Sequence, residues 1–401
     1  MKQRNKIAYI LGMAMLCMPI QDVSAQTSIA KEWGLGWNLG NQYDAFENGI
    51  SSETAWHNDA PGTALMDSIS KAGFTAVRIP VTWLGHIGKA PEYKLDKTWL
   101  QKVTKIVEQA EKAGLKAIIN IHHDGADSQH WLNIREASQD PQKNAQIEEE
   151  IEKVWYQIAK HFRKKGDFLM FEAMNEIHDG GWGWGDNRKD NGKQYAILSH
   201  WTQVFTDAVR KAGGKNANRW LGIPSYCTNP QLALDSTFVL PKDKANKLMV
   251  AVHFYDPYEY VLNDKYSEWG HTANPEKKES WGDESNVDDL FEKLNNKFVK
   301  VGIPVYLGEM GCVRRNSQRG EQFRRYYLEY VVKKAKDEGI IPFYWDNGYK
   351  GIGKEQSGLF DRATGAFHPD AKEVTQAMRK AMFDNDPNYT IKAVYDNAPS
   401  K

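Results

Sequence analysis

The sequence predicts an α/β fold, a single (β/α)8 barrel of the TIM type with long loops on its C-terminal face. Two observations carry that expectation. Eight short apolar runs read as strands, and most are followed by a stretch with helical apolar spacing. Nearly every polar residue of chemical interest then falls at or just past the C-terminal end of one of those runs. Alternation of this kind implies parallel strands joined by crossovers. Strands buried on both faces read as continuous apolar runs, as Ala117–Ile121, Leu248–Val252 and Val305–Leu307 do. The rival is an open doubly wound sheet, which normally carries a glycine-rich phosphate turn after its first strand. Here Gly34 and Gly36 lie before and within the first strand.

In order, residues 33–41 read as a short strand closing in a glycine-rich turn. Residues 61–71 have Leu65, Met66 and Ile69 at helical spacing and stop at Gly73. Residues 74–81 are the second strand, with Arg78 near its end. Residues 97–113 are helical, with Leu100, Val103, Ile106, Val107 and Ala110 on one face, closed by Gly114. The third strand, 115–121, leads into His122, His123 and Asp124. Helix 141–163 precedes the fourth strand, 168–176, which ends in Asn175 and Glu176. Helix 194–212, strand 219–224 and strand 248–254 follow, the last leading into His253 and Tyr255. Helix 287–300 precedes the seventh strand, 304–311, which ends at Glu309. Helix 319–338, strand 340–345 ending in Trp345, and helix 369–382 complete the series. The tail beyond Asp384 reads as an extended segment lying on the barrel. Long connections follow Glu176 and Tyr255. They carry Trp182 and Trp184, and Trp269 and Trp281, as candidate stacking platforms for sugars or as pins for the loops.

Of the 401 residues, 26% are charged and 41% hydrophobic, with formal net charge +0. That balance excludes disorder and gives no reason to expect nucleic acid or an anionic membrane as partner. Lys2, Arg4 and Lys6 followed by apolar Ile7–Ile20 and by Val23-Ser24-Ala25 read as a cleavable secretory signal over residues 1–25. The expectation is therefore a secreted protein, periplasmic, surface-bound or extracellular, with one catalytic domain over 26–401. No other run is long and apolar enough to span a bilayer. Cys17 follows Leu16 rather than a small residue, against lipidation. Cys227 and Cys312 read as free, buried thiols rather than a disulfide framework.

In a barrel, strand ends converge on one rim. Asn38, Arg78, His122, Asn175, Glu176, His253, Tyr255, Glu309 and Trp345 would share it. Glu176 and Glu309 follow strands four and seven, nearly across the mouth. Carboxyls about 5 Å apart there have the geometry that cleaves a glycosidic bond with retention. One must attack the anomeric carbon and the other protonate the leaving oxygen. Like charges that close oppose joint ionisation. Arg78 would hold Glu309 ionised, Tyr255 would donate to it, Asn175 would bind the 2-hydroxyl, and Trp345 would floor the reacting sugar. No metal or cofactor is expected. Adjacent histidines on a strand point to opposite faces, so His122 and His123 cannot easily share an ion.

Those pieces, Gly36-Trp37-Asn38-Leu39-Gly40-Asn41, Arg78-Ile79-Pro80, His122-His123, Asn175-Glu176, His253-Phe254-Tyr255, Gly308-Glu309 and Phe343-Tyr344-Trp345, stand in order along nearly the whole chain. Together they resemble glycoside hydrolase family 5. The resemblance implies that Glu176 is the acid/base and Glu309 the nucleophile. It also implies that Asn38, Arg78, His122, Asn175, His253, Tyr255 and Trp345 fill the remaining site positions. The opening motif is similar to bacterial endo-β-1,4-glucanases, which implies a β-linked polysaccharide or oligosaccharide as partner and a monomer. Mannan, xyloglucan and mixed-linkage glucan stay open as substrates, as does an inactive carbohydrate-binding barrel. Ile177-His178 stands where the family usually has proline after Asn-Glu.

Overall fold

The computed structural model describes residues 29–400. The expected signal segment lies outside the described residues. Eight parallel strands close into a barrel: β1 (Gly36–Leu39), β4 (Ala76–Ile79), β5 (Lys116–Ile119), β6 (Leu169–Glu172), β7 (Leu221–Pro224), β8 (Leu248–Phe254), β9 (Val305–Met310) and β10 (Ile340–Asp346). β1 closes the ring by pairing with both β4 and β10. A small hairpin, β2 (Phe46–Glu47) with β3 (Ile50–Ser51), projects after β1. The (β/α)8 fold expected from the sequence is the one observed. Among the described residues, no helix is long and apolar enough to cross a membrane.

The period-2 alternation of strands sorts the side chains. Outward positions such as Trp37, Val77, Ile119, Phe171 and Leu307 pack under the helices. Inward positions low in the barrel, including Ala76, Ile118, Met170, Tyr306 and Phe343, form a separate interior core. One layer higher, the inward positions turn polar: Asn38, Arg78 and Glu172 are all fully buried. The core therefore stops below the mouth, and a polar layer begins there.

Most helices follow their sequence signals. Asp96 caps Lys97–Lys112 by accepting from the Trp99 N–H, and Asp140 with Pro141 opens Pro141–Phe162. The helix expected over 287–300 begins at Glu284, where Asp283 caps it. The tail departs from expectation. Residues Ile391–Asp396 are helical, capped by Thr390, with Val394 buried and Tyr395 stacked on His271 at 3.8 Å. Trp269 is buried against Tyr326, Tyr327 and Tyr330, so it pins its loop and offers no face to a ligand. Trp281 is half exposed. Cys227 and Cys312 are free and buried.

Candidate active site

Arg78 organises the polar layer. Its Nε and Nη2 fork onto Glu172, at 3.0 and 2.6 Å. Nη2 also reaches Asn175 Oδ1 at 2.8 Å, while Nη1 donates to Asn38 Oδ1 at 3.0 Å and to Glu309 Oε1 at 2.7 Å. Burial alone would lower the Arg78 pKa, but the carboxylates of Glu172 and Glu309 reverse that and keep the guanidinium charged. Glu172 is further held by Asn120 at 2.8 Å and by the Tyr306 hydroxyl at 2.7 Å. Tyr306 reaches it because residue 222 is glycine: a Cβ there would lie 2.1 Å from the Tyr306 hydroxyl oxygen.

Glu309 points into the mouth because β9 carries one extra residue. Val252 pairs with Leu307, yet the next pair is His253 with Glu309, and the register with β10 shifts at the same place. Strict alternation from inward Tyr306 would turn Glu309 outward. The bulge at Gly308 reverses the phase, as bulges beside active sites do. Glu309 Oε2 accepts from the Tyr255 hydroxyl at 2.8 Å, and burial keeps that phenol protonated.

Glu176 lies beyond the end of β6. Its Oε1 is 2.6 Å from His253 Nδ1, and the Thr228 hydroxyl donates to the same oxygen at 3.4 Å. Carboxylate atoms of Glu176 and Glu309, with a ring nitrogen of His253, all lie within 4.8 Å of one another. Burial is the largest influence on both carboxyls and pushes each upward. On Glu176 the hydrogen bond and charge of His253 outweigh it, and the pKa falls. On Glu309 burial and the nearby Glu176 prevail over His253 and Arg78, and the pKa rises. Both Glu309 oxygens accept from donors, Arg78 and Tyr255. One hydrogen lies between Glu176 Oε1 and His253 Nδ1.

His122 is buried, and burial followed by the charges of His123 and Arg78 pushes its pKa well below the ordinary value. The Val81 N–H fixes the Asn120 oxygen, so the Asn120 amide donates to His122 Nδ1 at 3.0 Å. Nε2 therefore carries the hydrogen, 3.9 Å from Glu309 Oε1. The Asn175 oxygen is occupied by Arg78, which frees its amide hydrogens for a ligand. Trp345 stands parallel to His122, ring centres 5.9 Å apart. It rests against Gly40, where a Cβ would sit 2.8 Å from the indole.

All nine strand-end residues expected at the rim are thus brought together. Trp182 and Trp184 are exposed on the loop that follows Glu176. One expectation fails. The chain has left β5 before His122, whose backbone (φ −100, ψ −86) turns sharply. The His122 and His123 rings meet edge to face at 4.4 Å, and with Asp44 they offer ligand atoms within 4.8 Å of one another. The argument that they diverge does not hold. Sequence reading also missed Glu172, Asn120 and Tyr306. A carboxylate inside the apolar run Leu169–Glu172 was the available signal, since buried charges are paired.

The profile of the cellulase family, glycosyl hydrolase family 5, matches residues 40–351. Endoglucanase A of Paenibacillus barcinonensis is 36% identical over 340 residues, 80% of this chain and 82% of that protein. A solved broad-specificity endoglucanase from Bacteroides salanitronis is 55% identical, with TM-score 0.88 over 90% of this chain and 95% of that one. A Bacteroidetes-affiliated cellulase of the family, linked with a polysaccharide utilization locus, is 44% identical, with TM-score 0.92 over 96% and 99% of the two chains.

Proposed function

The chain belongs to glycosyl hydrolase family 5 and is a retaining endo-β-glucanase, and from that premise we propose which side chains carry each step. Glu309 is the nucleophile. Its carboxylate attacks the anomeric carbon while Glu176, through the proton it shares with His253, protonates the departing oxygen. In the second step Glu176 takes a proton from water, which displaces Glu309 from the sugar. Asn175 and His122 Nε2 bind hydroxyls of the reacting sugar, and Trp345 stacks beneath it. Asn38 acts at one remove, fixing Arg78. The observation that carries this reading is the contact of Glu176 and Glu309 within 4.8 Å, with Arg78 and Tyr255 on one and His253 on the other.

The preferred polymer is β-1,4-glucan, with mixed-linkage glucan and xyloglucan as further substrates. The broad-specificity relative supports that range. The basic and apolar start of the sequence supports export, so the enzyme would act outside the cytoplasm, as a monomer. Proton NMR of the first product tests the chemistry: the β-anomer is expected, and an α-anomer overturns the double displacement. Parallel assays on carboxymethyl cellulose, mixed-linkage glucan, xyloglucan and mannan test the range. Turnover on mannan alone would overturn the glucanase assignment.

A further inference from the structure

The turn that follows β7 grips the segment carrying Glu176 at three successive residues. The Tyr226 hydroxyl accepts from the Asp179 N–H at 3.0 Å, the Cys227 N–H donates to the Ile177 carbonyl at 3.0 Å, and the Thr228 hydroxyl lies 3.4 Å from Glu176 Oε1. All three residues are buried, Thr228 completely. Cys227 stands at φ 54, ψ 23 and Thr228 at φ 47. This left-handed region is unfavourable for a residue with a Cβ, most of all for a β-branched one. The turn is held there because both of its ends are fastened. The Thr228 N–H donates to the Ser225 carbonyl at 2.8 Å, and the Ser225 hydroxyl donates to the Asn229 carbonyl at 2.9 Å. Asn229 in turn caps the short helix Pro230–Leu234. Strained backbone fixed in this way beside a reactive group is a mark of function.

The Thr228 hydroxyl has one hydrogen and two acceptors in reach. The Cys227 carbonyl is 2.7 Å away and Glu176 Oε1 3.4 Å. While Glu176 is neutral, the shorter contact holds the hydrogen. A hydrogen bond to an ionised group is roughly twice as strong as a neutral one, so ionisation draws the hydrogen across by rotation of the O–H alone. We propose that Thr228 is a positioning residue for the acid/base: its hydroxyl turns to the Cys227 carbonyl while Glu176 holds its proton, and to Glu176 once that proton has gone to the leaving oxygen. This rests on the reading of Glu176 as acid/base. The hydroxyl thus supports the carboxylate between the two displacements and lets go when Glu176 takes a proton from water. Thr228 touches no substrate, and no covalent bond to it forms or breaks. The titratable groups that face Glu176 are His253 on β8, Tyr255 after it, Glu309 on β9, His123 after β5, Cys227, and His178 on its own segment. An exchange at Thr228 alters none of them.

Thr228→Val deletes the hydroxyl and keeps the shape and the branching, so the backbone strain is matched. The readout is kcat/KM against pH for cellotetraose, whose basic limb follows loss of the proton from the acid. In Thr228→Val that limb is expected to move up by roughly 0.5 pH unit, because a carboxylate deprived of a donor holds its proton to higher pH. Thr228→Ser, which keeps the hydroxyl, leaves the limb where the unaltered enzyme has it. Thr228→Ala, free of branching, gives the same upward shift and serves if the valine variant does not fold. A limb that stays put or moves down in the folded variants lacking the hydroxyl overturns the proposal. So does a serine variant that shifts as far as the valine or alanine one. 2,4-Dinitrophenyl β-cellobioside separates this from the reading beneath it. Its leaving group needs no proton, so the unaltered enzyme shows no such basic limb with it. The same limb on both substrates is a different result, which overturns Glu176 as the acid whatever residue 228 does.

Discussion

Arg78→Ala removes a fully buried cation shared by two carboxylates. The guanidinium forks onto Glu172 and reaches Glu309 at 2.7 Å, with side-chain exposures of 0%, 0% and 7% along those pairs. Breaking a buried ion pair by deleting one partner costs about 3–5 kcal/mol. At roughly 2.1 cal/mol/K per residue, a domain of this size unfolds with an entropy near ~0.8 kcal/mol/K, so the loss corresponds to a Tm lowered by about 4–6 °C. The pH dependence carries the sharper test. Burial pushes Glu172 upward, but Arg78 outweighs it and holds the carboxyl below its ordinary value. A carboxyl held low in the folded state adds stability above its unfolded pKa, and that stability is lost as pH falls through the folded value. Without Arg78, burial is opposed only by the smaller influences of His253 and the Tyr306 hydrogen bond, and the folded variant binds a proton more readily than its unfolded chain. The variant therefore gains stability from pH 7 toward pH 5, and the gap in Tm narrows. Differential scanning calorimetry at the two pH values measures it. A gap of under about 1 °C at pH 7, or one that is the same at both, would refute the assignment of Arg78 as counter-ion to this layer.

Glu309→Ala is expected to lose roughly 10⁴-fold or more in kcat with its circular dichroism unchanged. Azide should restore turnover and give the α-glycosyl azide, whereas a β-azide would contradict attack by Glu309. Glu176→Gln should lose about 10²–10⁴-fold in kcat/KM on polysaccharide. It should still give a burst of phenol from dinitrophenyl β-cellobioside, whose leaving group needs no proton, and an absent burst would count against Glu176 as the acid. Glu172→Gln should shift the acidic limb of kcat/KM to lower pH, since Arg78 would then serve Glu309 alone. A limb that stays put or moves up would show that the two carboxylates do not compete for it.

The barrel was legible because its two layers of apolar residues are written into short periodicities. Buried strands such as Val305–Leu307 and amphipathic helices such as Lys97–Lys112 each declare themselves over 16 residues or fewer. The rim was legible for a related reason: strand ends are marked by the change from apolar to polar, and closure of the ring puts every such change in one place. Phase was not legible. Whether Glu309 faces the mouth depends on the extra residue at Gly308, which appears only when β9 is paired with both neighbours. His122 and His123 show the same limit, because a single backbone turn replaced the divergence that a continuing strand would impose. The short tail helix Ile391–Asp396 was hidden because its stability comes from contacts such as Tyr395 on His271, far away in sequence.

Under the proposed roles, Glu172 explains how one cation can serve the nucleophile without disabling it. A carboxylate paired alone with a buried guanidinium would be strongly ionised but also strongly held, and so a poor nucleophile. Here Nε and Nη2 are committed to Glu172, leaving Glu309 a single contact from Nη1. The three groups together carry one net negative charge, and Tyr255 adds a neutral donor rather than a second cation. Burial and Glu176 push the Glu309 pKa up, and Arg78 and Tyr255 oppose that rise while the attraction on the carboxyl is divided. When its bond to the sugar forms and its charge is spent, Arg78 remains paired with Glu172, so the buried layer is never left with an uncompensated charge. In the proposed mechanism Glu176, beyond the end of β6, can then switch between acid and base, and Glu309, on β9, between carboxylate and ester, above a foundation whose charge balance tolerates both states.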